Sequence, residues 1–513
     1  MSTLTTLLSA LPDYRLCISE ELSSSIGQIE IEYPACDSRK ACRGCMFFCL
    51  VGKTVDGHDF AASAYRNGCR VFVCQRELPL PADACQIIVD DTRAALADLS
   101  ALHYGHPEKE IRLIGITGTK GKTTTALLLR SMLESCGIST GYIGTNGVVY
   151  RNTRAITSNT TPESLDLYRY LADMLESGIR VCVLEISSQA LWMQRTRGLV
   201  FDTVMFTNLS RDHIGGVEHP DFEHYRDSKR RLFTDYPTRA VLINRDDDAA
   251  AYMAEGATAP VCTFGLTADV YGGLPRWYAA DIHPDSRRGR PGVAFDLYRG
   301  GSPTGAPWFL PMPGHFNVQN ALGALAVVCE RFGVAEEDAR RALATAVAEG
   351  RFETITHPSL PGVTFVIDYA HNGVSLTSIL DALRGYGPER LICLFGSVGG
   401  RTRERRRDLA EAAGPRCDLC ILTSDNPAGE PPAAILDDID NAFPEGSCPR
   451  VKIADREEAI HYAVSLAREG DIILLAGKGH ENYQLISGVR HPYSEIGALK
   501  YALERRAEAV VLG

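Results

Sequence analysis

The sequence predicts an α/β protein, with helices layered on mainly parallel sheets and the layers divided among several domains. Strand-like apolar runs alternate with helix-like segments along the whole chain. One such run, at 111–116, passes through a Gly/Thr loop into an apolar helix. The length, 513 residues, exceeds what a single core organises. Hydrophobic residues at 45% and charged residues at 23% are ordinary for a globular protein. A formal net charge of −11 argues against nucleic acid as the main partner, while a small anionic substrate needs only a local basic pocket. Segment 1–22 is interrupted by Asp13, Arg15 and Glu20 and does not read as a signal peptide. No run approaches the roughly 20 apolar residues of a membrane span. A cytoplasmic protein without membrane insertion is expected.

Taken in order, the first hundred or so residues form a unit with Cys36-Asp37-Ser38-Arg39 and strands at 45–51 and 70–74. The charged, Pro-containing segment 106–110 reads as a linker before the strand at 111–116. Strands follow at 181–186, 203–207 and 240–243, and Gly/Pro-rich, irregular sequence fills 265–314. Helices are expected at 317–332 and 336–348, a boundary at 350–353, and strands at 363–367, 391–395, 419–423 and 471–475. Three domains are the economical division: 1–108, 109–349 and 350–513.

Most of the sixteen cysteines, among them Cys182, Cys393, Cys417 and Cys420, sit in or beside apolar strands as small hydrophobes. Cys36, Cys42, Cys45 and Cys49 cluster, and Cys42 with Cys45 raises a zinc or redox question. No second C-x-x-C or paired histidine follows, so free thiols around a turn are the simpler reading.

The stretch 111–125, Ile-Arg-Leu-Ile-Gly-Ile-Thr-Gly-Thr-Lys-Gly-Lys-Thr-Thr-Thr, carries the sharpest chemistry. Gly115, Gly118 and Gly121 are read as letting backbone N–H groups close on phosphates at a helix N-terminus. Lys122 can reach the outer phosphates, and the Thr123 hydroxyl can ligate magnesium. Ile116 stands where the strict spacing places glycine, so the loop is a variant. A nucleoside triphosphate is the expected ligand, with Gly118, Thr119, Lys120, Gly121, Lys122, Thr123 and Thr124 around it. Glu185 ends a buried strand, where a carboxylate is either a magnesium holder or a surface acid. His213 is a metal ligand or a satisfied loop histidine, and Lys229 is by composition one more cation on a helix face.

These segments resemble the Mur ligases, ATP-dependent ligases that add amino acids to the peptidoglycan precursor. The likeness rests on the phosphate loop, Glu185-Ile-Ser-Ser188, Thr207-Asn-Leu-Ser-Arg-Asp-His213 and the segment around Lys229. It continues through Pro313-Gly-His-Phe-Asn-Val-Gln-Asn320, Asp368-Tyr-Ala-His371, Phe395-Gly396 with Arg401, Ser424-Asp-Asn-Pro427 and Gly477-Lys-Gly-His-Glu481. The resemblance implies three domains: a UDP-binding N-terminal domain, a P-loop central domain and a Rossmann-like C-terminal domain. Within the family, Asp37-Ser38-Arg39 and Ser158-Asn-Thr-Thr-Pro162 are similar to the branch that joins a diamino acid to UDP-N-acetylmuramoyl-L-alanyl-D-glutamate. Implied ATP contacts are Asn317, Asn320, Arg351, Asp368 and His371. The muramoyl dipeptide is implied to meet Ser38, Asn159, Thr160, Thr161, Ser187 and Arg195. Catalysis is implied for Lys122, Lys229, His213 and Glu185, with Mg2+ held by Thr123, Glu185, His213 and Lys229 as a carbamate.

For the incoming amino acid the resemblance implies Arg401, Asp425, Asn426, Ala428, Gly477 and Glu481. Members that take meso-diaminopimelate usually carry arginine where this chain has Ala428, and an arginine fork pairs the second carboxylate of that substrate. Alanine offers no donor, so L-lysine is favoured, with ornithine and diaminopimelate open. A monomer with small-molecule substrates, working in cell-wall biogenesis and so in cell shape and division, is expected. The competing classes are a folylpolyglutamate synthetase-like ligase, a small-molecule kinase, and a non-catalytic nucleotide-binding scaffold.

Overall fold

The computed structural model describes residues 2–52, 55–211, 214–215, 218–267, 275–287, 290–400 and 403–512. The chain divides into two compact units, residues 1–126 with 137–267 and residues 127–136 with 268–513.

Among the described residues, the first unit holds two main sheets beside a short pairing of Ser2–Thr3 with Glu30–Ile31. The N-terminal one has the spatial order Arg15–Cys17, Cys85–Ile88, Val71–Cys74, Cys45–Phe48, Tyr33–Ala35, parallel except for the first strand. Cys-Met-Phe-Phe and Val-Phe-Val-Cys are buried at every position, as continuous apolar runs become in a sheet covered on both faces. Met46, Phe48, Val71 and Val73 pack under helix Thr92–His103 through Leu96 and Leu99. Phe47 and Phe72 point the other way, into Ala61, Ala64 and Cys69. Cys45 and Cys49 are buried in this sheet and its edge, whereas Cys36 and Cys42 are exposed.

The larger sheet of this unit runs Thr153–Ala155, Gly147–Tyr150, Thr140–Gly144, Val181–Glu185, Arg112–Thr117, Phe201–Phe206, Thr238–Asn244, Val261–Gly265. Its last six strands are parallel, and the phosphate-loop strand lies in their midst. Helices Ser164–Glu176 and Phe222–Thr234 bring Leu167, Leu171, Met174, Leu232 and Phe233 into one core with Leu113, Cys182, Leu184 and Val204. Gly115 belongs to this packing and not to the phosphate cradle. A Cβ there would lie 2.7 Å from Ile186 Cδ1 and 2.9 Å from Phe201 Cε1.

In the second unit, most of the segment read as irregular is ordered. Trp277–Arg287 and Arg290–Arg299 form a long antiparallel hairpin, with Trp308–Leu310 added beside it. Trp277, Phe295 and Trp308 are fully buried in it. Helix His315–Ala326 follows, closed by a wider turn at Val327–Arg331.

The C-terminal sheet has the order Glu353–Ile355, Thr364–Asp368, Asp471–Ala476, Arg390–Phe395, Leu419–Leu422, Arg450–Lys452. All but the first are parallel, with helices at Gly373–Arg384, Arg403–Ala413, Pro432–Asn441, Arg456–Leu466 and Glu495–Leu512. This is the doubly wound arrangement expected for the last domain. Strand Asp471–Ala476 lies between Thr364–Asp368 and Arg390–Phe395, so the chain direction of winding changes there, where such sheets bind ligands beyond their strand C-termini.

One ion pair fixes that edge. Arg456 and Glu495 are fully buried and meet through two hydrogen bonds of 2.6 and 2.9 Å. The same guanidinium donates to the carbonyls of Ser424 and Ala476, the residues before Asp425 and Gly477. Glu495→Ala leaves the guanidinium buried without its carboxylate and is expected to destabilise the C-terminal sheet by about 3–5 kcal/mol. A lowered denaturant midpoint, read from the C-terminal tryptic fragments protected at each urea concentration, checks this.

Candidate active site

Strand Arg112–Thr117 delivers the chain into the phosphate loop, and helix Lys122–Ser135 leaves it. Gly118 has φ +149, and a Cβ on it would lie 1.9 Å from Thr207 Oγ1, so no side chain fits there. The loop is fastened from outside. Thr119 N–H donates to Asn208 O and Lys120 N–H to Asn208 Oδ1, both at 2.8 Å. Thr207 Oγ1 donates to Lys120 O at 2.7 Å, and Thr119 Oγ1 lies 2.9 Å from Tyr225 Oη. The amides of Thr119 and Lys120 therefore shape the loop. The first turn of the helix, which has no intrahelical acceptors for its N–H groups, is the anion-facing end.

Two lysines reach this loop. Lys122 Nζ donates to the carbonyls of Gly118 (2.8 Å) and Thr119 (3.2 Å). Lys229 comes from helix Phe222–Thr234, is 1% exposed, and donates to Gly118 O at 2.9 Å over the Tyr225 ring. The solvated helix face suggested by composition is thus wrong for Lys229. Glu185, fully buried at its strand end, accepts from Thr123 Oγ1 (2.9 Å), Tyr142 Oη (2.5 Å), Thr145 N–H (3.1 Å) and Thr145 Oγ1 (3.2 Å). The surface-acid alternative for Glu185 is excluded. Carboxylate and hydroxyl oxygens side by side are the hard donors that Mg2+ takes, so Thr123 and Glu185 fit that ion. His213 lies outside the described residues.

Of the residues assigned to the dipeptide, Thr161 ties the chain together. Its hydroxyl donates to Glu185 O at 2.9 Å and accepts from Ser187 N–H at 3.1 Å. Ser187 Oγ caps the helix that follows by accepting from Ala190 N–H. Thr160 Oγ1 lies 3.3 Å from Thr145 Oγ1, and Asn159 is beside it in an open loop. Arg195 is buried and already paired, through Nε to Glu163 Oε1 at 2.8 Å, with Arg93 on the other oxygen at 3.2 Å. Burial draws its pKa down and Glu163 opposes the change. Ser38 lies in the N-terminal sheet's turn, its carbonyl held by Asn67.

The second unit holds its own cluster beyond the strand C-termini. Lys478 is fully buried, and its ammonium donates to Glu481 Oε2 (2.6 Å) and Asn426 Oδ1 (2.9 Å), with Asp425 Oδ1 at 3.6 Å. Asn426 Nδ2 donates back to Glu481 Oε2, and Tyr369 Oη to Glu481 Oε1. Burial pushes the Asp425 carboxyl up, opposed by Lys478. Burial acts in the same sense on Glu481, but the Lys478 ammonium and the Asn426 amide outweigh it and hold that carboxyl below its ordinary range. Asp425 Oδ1 is buried and accepts no hydrogen bond among the described residues. Two carboxylates around one ammonium leave a net negative cluster with an unpaired acceptor, suited to a second ammonium.

Other assigned residues hold the frame. Asp368 accepts from the N–H groups of Phe352 and Ala370, while Arg351 stacks on Tyr369 and His371 Nδ1 lies 2.8 Å from Tyr369 O. Asn317 is buried in the first turn of its helix and donates to Pro313 O, with Asn320 beside it. Gly477 has φ +107, and a Cβ there would come within 3.3 Å of Asp425 Oδ2. Ala428 adopts φ +54, with its N–H on Leu485 O. Arg401 lies outside the described residues, although Gly399 N–H before it donates to Asn426 O. Sequence inspection left Tyr142, Thr145, Asn208, Tyr369 and Lys478 without roles. Only Lys478, between two glycines after a buried strand, carried a usable signal.

Three family profiles match this chain: "Mur ligase family, catalytic domain" at 30–104, "Mur ligase middle domain" at 116–328 and "Mur ligase, glutamate ligase domain" at 350–479. A UDP-N-acetylmuramoyl-L-alanyl-D-glutamate–2,6-diaminopimelate ligase of Geobacillus kaustophilus is 36% identical over 481 residues, covering 92% of this chain and 94% of the relative. The chain belongs to the Mur ligase family. Ligase 1 of the same name from Clostridium acetobutylicum is 37% identical over 463 residues, covering 89% and 92%. A solved structure with that enzyme name aligns with TM-score 0.68 at 28% identity over 98% of this chain and 99% of its own. A Mycobacterium tuberculosis folylpolyglutamate synthase complexed with ADP and AMPPCP shares the fold at TM-score 0.58 and 19% identity, over 75% of this chain and 92% of its own. This Mur ligase is thus an ATP-dependent amide-forming enzyme of three-domain α/β architecture, which excludes the scaffold class. Gly118→Ala is expected to weaken ATP binding at least about tenfold, since a misplaced loop loses one or more charge-assisted hydrogen bonds of about 1.5–3 kcal/mol each. Calorimetric titration with ATP checks it.

Proposed function

We propose that this Mur ligase joins 2,6-diaminopimelate to the D-glutamyl γ-carboxylate of UDP-N-acetylmuramoyl-L-alanyl-D-glutamate, with ATP converted to ADP and phosphate. The observation that carries the amino-acid half is the buried Asp425, Lys478, Glu481 cluster with its open acceptor at Asp425 Oδ1. The relatives that match over nine-tenths of their length bear the diaminopimelate name, and they support that acid over the others.

A carboxylate oxygen of the D-glutamyl residue attacks the γ-phosphorus, ADP leaves, and an acyl phosphate forms. The neutral amine of the diamino acid then attacks the acyl carbon, and phosphate leaves with the bonding pair while the proton lost by nitrogen passes to the departing phosphate. Lys122 supplies a fixed positive charge on the triphosphate as the two anions approach. Thr123 and Glu185 would hold Mg2+, with His213 at a second ion; the metal when bound neutralises phosphate charge. Lys229 would serve as a carbamate, formed when its neutral amine adds to carbon dioxide and loses a proton. Lys122 Nζ donates to the same Gly118 carbonyl that Lys229 meets, so a carbamate there would have that ammonium as a neighbouring counter-charge. Asn159, Thr160, Ser187 and Arg195 would hold the dipeptide. Density for a plain ammonium at Lys229 in a crystal with nucleotide and dipeptide bound would sink the carbamate.

L-Lysine is the second reading, and Ala428 is the observation that favours it. Its methyl group donates nothing to a second carboxylate. Incubation with ATP, magnesium and the uridine-linked dipeptide, offering lysine, ornithine and diaminopimelate in parallel, separates the readings by product mass. The diaminopimelate amide is expected to dominate, and lysine amide as the main product would reverse the assignment. Ala428→Arg is expected to raise the diaminopimelate-to-lysine ratio of kcat/KM by about ten- to hundredfold, the worth of one charge-assisted pair.

A further inference from the structure

Resting on the assignment of the Asp425–Glu481 cluster to the diamino acid, we propose that Arg490 is a specificity-determining residue. It pairs the distal carboxylate of diaminopimelate in place of the side chain that Ala428 lacks. The hairpin Tyr483–Ile486 and Val489–Pro492 carries it. This hairpin is sewn onto the loop that contains Ala428. Ala428 N–H donates to Leu485 O at 2.8 Å, Leu485 N–H to Asn426 Oδ1 at 2.9 Å, and Gln484 Nε2 to Asp425 O at 3.2 Å. Ala428 also bridges to Ile486, so the hairpin is fastened along the backbone at residue 428.

Arg490 stands directly opposite Leu485 in the hairpin register, and cross-strand partners share a face. Tyr483, two residues before Leu485, is on that face too. The Arg490 guanidinium lies over the Tyr483 ring, 4.6 Å from its centroid, and Lys478 Nζ is 5.4 Å from the same centroid. One aromatic ring therefore joins the buried ammonium of the cluster to the guanidinium of the hairpin. No carboxylate among the described residues lies within ion-pair distance of Arg490, whereas Arg403, Arg406, Arg450 and Arg456 of the same domain all have one. A stacked guanidinium keeps its edge donors in plane for bidentate recognition of a carboxylate. A diamino acid with a second carboxylate meets this fork; lysine has nothing to offer it.

The test measures kcat/KM for diaminopimelate and for lysine in the full chain, in Arg490→Gln, and in Arg490→Gln combined with Ala428→Arg. The ratio of the two constants cancels any loss of folded protein. Arg490→Gln is expected to lower the diaminopimelate-to-lysine ratio about ten- to hundredfold, and the added arginine at 428 to raise it again. An unchanged ratio, an equal fall for both acids, or an unsubstituted enzyme that takes only lysine overturns the role of Arg490. Failure of the unsubstituted enzyme to form amide with either acid removes the underlying functional assignment instead.

Discussion

An amide ligase driven by ATP must bring a carboxylate against a triphosphate, and two unit negative charges about 4 Å apart repel by about 4 kcal/mol at an effective dielectric near 20. The first unit is arranged against that repulsion. A parallel strand ends at a loop that only glycine can thread past Thr207, a helix opens with its positive end toward the loop, and the Lys122 ammonium reaches it. Glu185 would add negative charge in the wrong place were it loose. Four hydrogen bonds from Thr123, Tyr142 and Thr145 hold its oxygens instead.

The second unit solves the complementary problem, recognition of a cationic amino acid at a buried position. Asp425 and Glu481 share Lys478, so the cluster is partly neutralised while one carboxylate oxygen accepts no hydrogen bond among the described residues. Burying such charges is costly unless the geometry is rigid. The rigidity comes from Arg456, whose guanidinium grips the carbonyls just before Asp425 and Gly477 and is itself balanced by Glu495.

Much of this was legible because the signals were local. The strand, loop and helix at 111–133, the acid at 185 and four of the five parallel strands of the last sheet were placed within one or two residues. The stretch 265–314 was not, since glycine and proline mask the alternation of the hairpin Trp277–Arg287 with Arg290–Arg299, and its stability comes from buried tryptophans that meet only after folding. Gly115 was misassigned because a sequence shows a glycine without showing Ile186 and Phe201 closing on it. Lys229 looked like any surface cation, as helical spacing does not reveal a loop folded over it from a distant strand. Tyr142 and Thr145 carried no signal, since their partner Glu185 is forty residues away.

The fixed ammonium at the phosphate loop is the element on which the rest depends, and its removal tests it most directly. Amide formation by Lys122→Ala should be measured with saturating ATP and dipeptide beside the unsubstituted enzyme. A fall in kcat of at least about a hundredfold is expected from loss of one preorganised charge on the reacting phosphate. Turnover at the unsubstituted rate would contradict the assignment of this loop to catalysis.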